Sequence, residues 1–253
     1  MEIDKIYLGD CLELMKDIPN KSIDMVLCDL PYGVLNRGNK NARWDNIIPF
    51  EPLWEQYERV CKDKANIVLF AGGLFTAKLM MSNPKFWRYN LIWNKEYVTG
   101  YLDANRRPLL CHEDIVIFTN GGGYANTYNP QKIKNIPHTI GGLGVKNSCY
   151  GNHKYIETRF SDEMHHRSIV NFPKEDGTRH FHPTTKPIDL LRWLIRTYSN
   201  EGEIILDNCM GSGSTCVAAI KEKRHYIGIE IMEEYYKVAK QRIDNENRQL
   251  KLF

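Results

Sequence analysis

The stretch from Ile204 to Glu230 limits the possible folds most tightly. An apolar run, Ile204-Ile205-Leu206, ends at Asp207 and is followed by the turn Met210-Gly211-Ser212-Gly213-Ser214. Helical residues then run from Thr215 to Glu222, and a second apolar run, Tyr226-Ile227-Gly228-Ile229, ends at Glu230. A strand, a glycine turn, a helix and a second strand packed this closely fold as a parallel crossover unit. An amphipathic helix over Ile188 to Tyr198 precedes the unit, and a last helix follows from Glu233 to about Asn245.

The N-terminal part repeats the alternation. Lys5-Ile6-Tyr7-Leu8 reads as a strand ending at Gly9-Asp10, and Leu12, Met15 and Ile18 as a helix stopped by Pro19. Ile23 to Cys28 reads as a strand leading into Asp29-Leu30-Pro31-Tyr32, and Gly33 to Pro49 as a loop. A helix over Glu51 to Cys61, a strand at Asn66 to Phe70, a helix near Phe75 to Met81, and strands at Asn90 to Trp93 and Asp114 to Phe118 complete this part. The fold expected is α/β: a Rossmann-like, mostly parallel sheet with helices on both faces. Between the two parts, over 121–181, the periodicity is lost. Glycine clusters interrupt it, and Pro, Asn, Tyr and most of the eight His gather there. The chain therefore divides into 1–120, an inserted region 121–181, and 182–253.

Composition removes several alternatives. The longest nearly apolar run, Ile67 to Phe75, is far shorter than the roughly 18–20 residues of a membrane span. The start, Met1-Glu2-Ile3-Asp4, lacks the order of a signal peptide. Seven Cys without a C-x-x-C argue for reduced thiols and a cytoplasmic setting, not for a disulfide framework or a structural zinc. His165-His166 has no Cys or carboxylate at ligand spacing, so no metal is expected. A net charge of +3 permits a nucleic-acid partner without arguing for one.

Two turns carry chemistry. Glycine after the Asp207 strand permits a tight bend and close approach of a ligand, and the helix behind it favours anionic groups. Glu230, at the end of the next strand, can accept from both hydroxyls of a ribose. A dinucleotide site would show G-x-G-x-x-G, but its third glycine is replaced here by Cys216. In Asp29-Leu30-Pro31-Tyr32, a carboxylate, a carbonyl fixed by Pro and an aromatic plane suit a flat molecule bearing an amino group.

These residues resemble a known family. Asp29-Leu30-Pro31-Tyr32 resembles the D-P-P-Y catalytic motif of the amino DNA methyltransferases, which methylate the exocyclic nitrogen of adenine or cytosine from S-adenosylmethionine. Asp207-Asn208-Cys209-Met210-Gly211-Ser212-Gly213-Ser214-Thr215 is similar to their cofactor motif, His182-Pro183-Thr184-Thr185-Lys186-Pro187 to their H-P-T-x-K-P element, and Gly9-Asp10 to another cofactor turn. The order, catalytic motif first and cofactor motif last, is that of the circularly permuted beta class. The resemblance implies a class I methyltransferase fold, a target-recognition role for 121–181, and DNA as partner. It leaves room for a homodimer and for a separately encoded restriction endonuclease, as in a restriction–modification pair.

By the same resemblance, Asp29, Leu30, Pro31 and Tyr32 are the catalytic residues. The cofactor would be held by Asp10, Cys11, Thr184, Lys186, Asp207, Asn208, Gly211, Ser212, Gly213, Ser214, Thr215 and Glu230. Asp10 would meet the adenine amine of the cofactor and Glu230 its ribose; the 207–215 turn, with Thr184 and Lys186, would hold its methionine moiety. Leu30 replaces the first Pro of the motif, and Cys209 replaces a Phe wall.

The target base would be flipped out and stacked on Tyr32. Trp44 and Trp93 are candidate further walls, with a buried core Trp the preferred reading of each, and Arg37, Lys40 and Arg43 either touch phosphate or form a solvated basic loop. Asp29 in place of Ser favours adenine N6 over cytosine N4. Cytosine C5 chemistry needs a Pro-Cys, which the chain lacks. The rivals are cytosine N4 methylation, methylation of RNA or protein, and an inactive DNA-binding module of the same fold.

Overall fold

The computed structural model describes residues 1–35, 44–120, 124–142, 146–147, 151–152, 156–173 and 185–250. Residues Arg37, Lys40, Arg43 and His182 to Thr184, singled out above, lie outside these. The chain separates into two compact units, Met1–Asn129 with Ser168–Phe253, and Pro130–Arg167.

In the first unit the elements follow in the order β1 (Lys5–Leu8), α1 (Cys11–Leu14), β2 (Ile23–Cys28), α2 (Phe50–Val60), β3 (Cys61–Ala71), α3 (Leu74–Ser82), β4 (Trp87–Thr99) and β5 (Leu110–Thr119). The second unit holds β6 (Lys132–Gly142), β7 (Lys146–Asn147), β8 (Gly151–Asn152) and β9 (Ile156–His165). The chain then returns to the first unit through β10 (Ile169–Asn171), α4 (Ile188–Tyr198), β11 (Ile204–Asp207), α5 (Ser214–Lys221), β12 (His225–Glu230) and α6 (Glu233–Leu250). The second unit consists of an antiparallel β6–β9 ladder and a short β7–β8 pair, with Ile136 and Phe160 exposed.

Eight strands of the first unit form one sheet in the order β1-β12-β11-β2-β3-β5-β4-β10. Within it β5 runs antiparallel to β3 and β4, and the other pairings are parallel. Side chains alternate across the sheet as a period of two demands. Val26, Cys28, Ile67, Leu69, Val116 and Phe118 pack with α2 and α3 on one face. Met25, Leu27, Val68, Phe70, Ile115 and Ile117 pack with α4 and α5 on the other. Burying Leu53, Trp54, Tyr57 and Val60 is what holds α2 down, at about 1.5–3 kcal/mol for each aliphatic side chain.

The N-terminal strand joins the C-terminal half directly. β1 lies parallel to β12 with Leu8 opposite Glu230, and the Asp4 amide donates to the Tyr226 carbonyl at 2.7 Å. The four strands that lead into Asp10, Glu230, Asp207 and Asp29 lie side by side in the order β1-β12-β11-β2. β2 does not lie beside β1; it returns to pair with β11, with Leu206 opposite Val26. Winding therefore reverses between β11 and β2, which is where open α/β sheets place their ligand crevice.

Several elements differ from the sequence reading. The first helix covers Cys11–Leu14 and continues only as a 3-10 turn over Met15–Asp17 before Pro19. Helix α2 ends at Val60 because Cys61 opens β3. Within 121–181, β10 belongs to the main sheet, and β6 and β9 lack the apolar alternation that would announce a strand. Trp93, by contrast, agrees with the core reading preferred for it: it is 1 % exposed and donates to the Phe172 carbonyl at 2.8 Å. Among the described residues no helix is long and apolar enough to cross a membrane.

Gly228 explains why Cys216 can stand where a third turn glycine was absent. The close helix–strand approach comes from β12 instead. A Cβ on Gly228 would lie 2.5 Å from Met210 Sδ and 2.8 Å from Cys216 Sγ. Replacing Gly228 with Ala should lower stability by about 1–3 kcal/mol, the cost of overpacking. Urea titration checks this; an unchanged midpoint would show that Met210 and Cys216 move aside freely.

Candidate active site

A cavity of about 410 Å³ opens at the carboxyl ends of β1, β12, β11 and β2. It brings together Asp10, Cys11, Asp29, Pro31, Lys186, Asp207, Asn208, Gly211, Ser212, Ser214, Thr215 and Glu230. Three residues from the sequence reading do not line it. Leu30 is 3 % exposed in the core, Tyr32 stacks on Phe75 at 4.9 Å, and Gly213 faces α6. Thr184 lies outside the described residues.

Local chemistry sets each group. Asp10 caps α1, accepting from the Leu12 and Glu13 amides at 2.8 and 3.3 Å, both on Oδ1. Glu230 is tied by both oxygens: Oε2 accepts from the Gly211 amide at 2.8 Å and Oε1 from the Met232 amide at 2.7 Å. Its carboxylate thus joins the end of β12 to the glycine turn, and burial pushes its pKa up against those bonds.

Gly213 adopts φ +77°, the left-handed conformation that favours glycine, and its Cα approaches Ala239 so closely that a Cβ would sit 2.9 Å from the Ala239 Cβ. Arg242 on α6 donates to the Ser212 carbonyl, Ser212 Oγ and Ser214 Oγ at 2.7, 2.8 and 3.0 Å, bracing the turn from behind.

Where the resemblance expects an aromatic wall at Cys209, thiols and an amide occupy the space. Asn208 Oδ1 accepts from the Tyr57 hydroxyl at 2.6 Å, and its Nδ2 faces Cys11 and Cys209 at 3.7 and 3.5 Å. Burial pushes the neighbouring Cys28 thiol up to about 12, so it is an apolar filler and not a nucleophile. Aromatic cover comes from elsewhere: Trp44 and Tyr235 line the cavity together with Ile47 and Ile48. Asp45, 2 % exposed, fixes the start of this loop by accepting from the Gly33, Val34 and Leu35 amides at 2.9, 2.7 and 2.5 Å.

The most polar corner surrounds Asp29. Its Oδ1 accepts from the Tyr32 hydroxyl at 2.9 Å and its Oδ2 from the Lys186 ammonium. Lys186 also faces Glu113 on β5 at 3.4 Å and sits 5.0 Å over the Phe70 ring. Glu113 pairs in turn with Lys95 on β4 at 3.1 Å. Burial raises the Asp29 pKa; Lys186 only partly opposes it, and the Glu113 charge adds to it. Burial would lower Lys186, but the two carboxylates outweigh it and raise its pKa. Burial would likewise raise Glu113, but its two ammonium neighbours hold it low.

The sequence reading missed Glu113 and Lys95. Their one signal is a charge flanking a short apolar run, Lys95 after Leu91-Ile92-Trp93 and Glu113 ahead of Ile115-Val116-Ile117-Phe118. Among the described residues no group of His, Cys, Asp and Glu could hold a metal ion.

A doubly faced, mostly parallel sheet with an acidic cavity at its switch point, and an Asp-Leu-Pro-Tyr turn beside it, defines a class I methyltransferase fold. The sequence model of the N6/N4 family described as DNA methylase matches residues 23–241, and the chain belongs to that family.

Among curated proteins, the chain is 28 % identical to YubD of Escherichia coli (strain K12), over 93 % of this chain and 88 % of that one. It is 26 % identical to the type II methyltransferase M.HpaI of Haemophilus parainfluenzae, over 96 % and 74 %. Of solved structures, the M1.HpyAVI–SAM complex superposes with a TM-score of 0.64 at 23 % identity, covering 95 % of this chain and 98 % of that one. The cytosine-N4-specific PvuII DNA methyltransferase gives 0.66 at 15 % identity, covering 96 % and 90 %. These structural likenesses carry the fold.

Asp207 generates a pH prediction. Burial pushes its carboxyl up to about 6 from 3.8. The folded state thus favours the protonated form, and the stability it confers is present below about 4 and lost as pH rises through about 6. Asp207→Asn, which cannot ionise, should gain on the wild type by up to about 3 kcal/mol between pH 4 and pH 7. Urea unfolding at both pH values measures it; a difference independent of pH would rule it out.

Proposed function

We propose that this protein transfers a methyl group from S-adenosylmethionine to the exocyclic N6 of adenine in DNA, in a cytoplasmic setting. The observation that carries the reading is the carboxylate of Asp29, on the strand next to Asp207, at the edge of a cavity built for a nucleoside. The family supports an amino-directed DNA methyltransferase.

The cavity fits the cofactor. Its volume lies within the roughly 300–1,000 Å³ of small-molecule sites. Asp10 and Glu230, at the ends of adjacent parallel strands, supply acceptors for amine and hydroxyl donors. Ile47, Ile48 and Ile231 supply apolar walls for a flat ring. Asp10, Cys11, Glu230 and the turn from Asp207 to Thr215 would hold the cofactor. Lys186, which the sequence reading assigned to the methionine moiety, is engaged with Asp29 and Glu113; we assign it to the reacting corner.

S-adenosylmethionine supplies an already activated sulfonium methyl. The protein's part is to make a poor nucleophile competent. The adenine amine is delocalised into its ring. Hydrogen bonds from it to Asp29 and to the Leu30 carbonyl favour a pyramidal nitrogen with a localised lone pair. As the N–C bond forms, the S–C bond would break to leave the thioether S-adenosylhomocysteine; the Asp29 carboxylate stabilises the positive charge where it develops on nitrogen, and the methylated amine would then release its surplus proton to solvent. Pro31 fixes the carbonyl, and Tyr32 offers a stacking plane for a flipped base once the base displaces the Tyr32–Phe75 contact. Asp29 ends a strand at the position where cytosine-N4 enzymes usually carry Ser, and this favours adenine.

Asp29→Ala should abolish methyl transfer and leave S-adenosylmethionine binding within a few-fold, measured by labelled-methyl incorporation and calorimetry. Near-normal turnover would refute the role of Asp29. DNA from a methylation-free host expressing the protein, digested to nucleosides, should contain N6-methyladenine by mass spectrometry. N4-methylcytosine instead would overturn the choice of base, and neither base would move the reading to RNA, protein or an inactive module.

A further inference from the structure

Beyond the motif residues, the corner around Asp29 holds four charges in a line that alternates in sign, two buried lysines and two partly buried carboxylates: Asp29, Lys186, Glu113, Lys95. The pairs are Lys186 with Asp29, Lys186 with Glu113 at 3.4 Å, and Lys95 with Glu113 at 3.1 Å. The side chains of Lys186 and Lys95 are each 8 % exposed. Glu113 Oε2 is buried and, at 3.4 Å from Lys186, makes no proper hydrogen bond. It therefore competes with Asp29 for the same ammonium without capturing it.

We propose that Glu113 is a positioning residue for methyl transfer, acting on Asp29 by sharing the Lys186 ammonium, with Lys95 holding Glu113 in place. The inference rests on the function proposed above. A carboxylate capped wholly by one ammonium is a weak acceptor and a poor stabiliser of a second cation. A carboxylate that shares its ammonium keeps more of its charge for the substrate amine. Lys186 thus favours the charged form of Asp29 against the effect of burial, and Glu113 limits how completely Lys186 neutralises it. Lys95 keeps Glu113 charged and tethers it to β4, so that the line as a whole is neutral.

The charged and titratable groups facing Asp29 are Tyr32 and Cys28 on its own segment, Lys186 before α4, Glu113 on β5, and Asp207 at the end of β11. Of these, Glu113 and Asp207 oppose ionisation of Asp29 and Lys186 favours it. Removing the Glu113 charge therefore lowers the pH at which Asp29 ionises and also weakens it as an acceptor.

The test is single-turnover transfer of a labelled methyl from saturating S-adenosylmethionine to unmethylated genomic DNA, between pH 5 and 9. It compares wild type, Asp29→Asn, Glu113→Gln and the double variant Lys95→Met/Glu113→Gln. The double variant leaves no lone buried ammonium, so it remains informative if the single one folds poorly.

The expected result for the Glu113 variants is a plateau rate lower by roughly tenfold, below the 10²–10³ of removing a direct stabilising group. Their acid limb should move down by about one pH unit. Binding of S-adenosylmethionine should be unchanged. A residue that merely supports the fold would lower activity without moving the acid limb. An acid limb that stays in place, or moves up, in folded variants would overturn the proposal and leave the methyl-transfer reading standing. Full turnover by Asp29→Asn would overturn both.

Discussion

The parallel pairing of β11 with β2 is the constraint on which the rest depends. Leu206 lies opposite Val26, so Asp207 and Asp29 end adjacent strands although some 180 residues separate them in the chain. Winding reverses at that pair, and the reversal opens the crevice that the cavity fills. Without it, the strand ends that carry Asp207 and Glu230 and the one that carries Asp29 would be unrelated. The pairing is maintained from both faces. Met25 and Ile205 belong to the core under α4 and α5, and Val26 and Leu206 to the core under α2 and α3. A register slip of one residue would turn every one of these side chains to the wrong layer.

The cavity's polar groups are consequently held twice, once by the sheet and once by local bonds. Glu230 ends β12 and also accepts from the Gly211 amide. Asp10 ends the β1 segment and also caps α1. The glycine turn is held by Gly213 against Ala239 and by Arg242 from α6. For Glu230, which is 6 % exposed, such over-determination is how the site keeps a buried carboxylate in a low-dielectric space where it would otherwise be costly. Asp207 shows the cost most plainly, because burial has raised its carboxyl to about 6. The Asp29 corner manages the same problem by pairing, two carboxylates against two ammoniums.

Much of this was legible in the residues. The glycine turn after an acidic strand end, the acidic end of the following strand and the Asp-Leu-Pro-Tyr turn are local patterns, and each forms within a few residues. Their positions at strand ends placed them on one edge of a parallel sheet before any coordinate was known. What stayed hidden was long-range. Lys95 and Glu113 lie on neighbouring antiparallel strands and meet Lys186 from a distant loop, so no spacing connects them. Gly228 supplies a close approach usually supplied by a glycine in the turn itself, and only packing shows that. The ladder of β6 and β9 was missed because its strands lack an apolar alternation to read.

By itself the sequence determined the type of fold and the location of the two chemical turns, because periodicity and turn chemistry act over short distances. Only the tertiary structure decided which strand lies beside which, that Tyr32 rests on Phe75, and that Lys186 lies between Asp29 and Glu113. Those outcomes depend on burial. Charges and aromatic rings find partners according to which surfaces the folded chain removes from water, and that is a property of the whole packing and not of any segment.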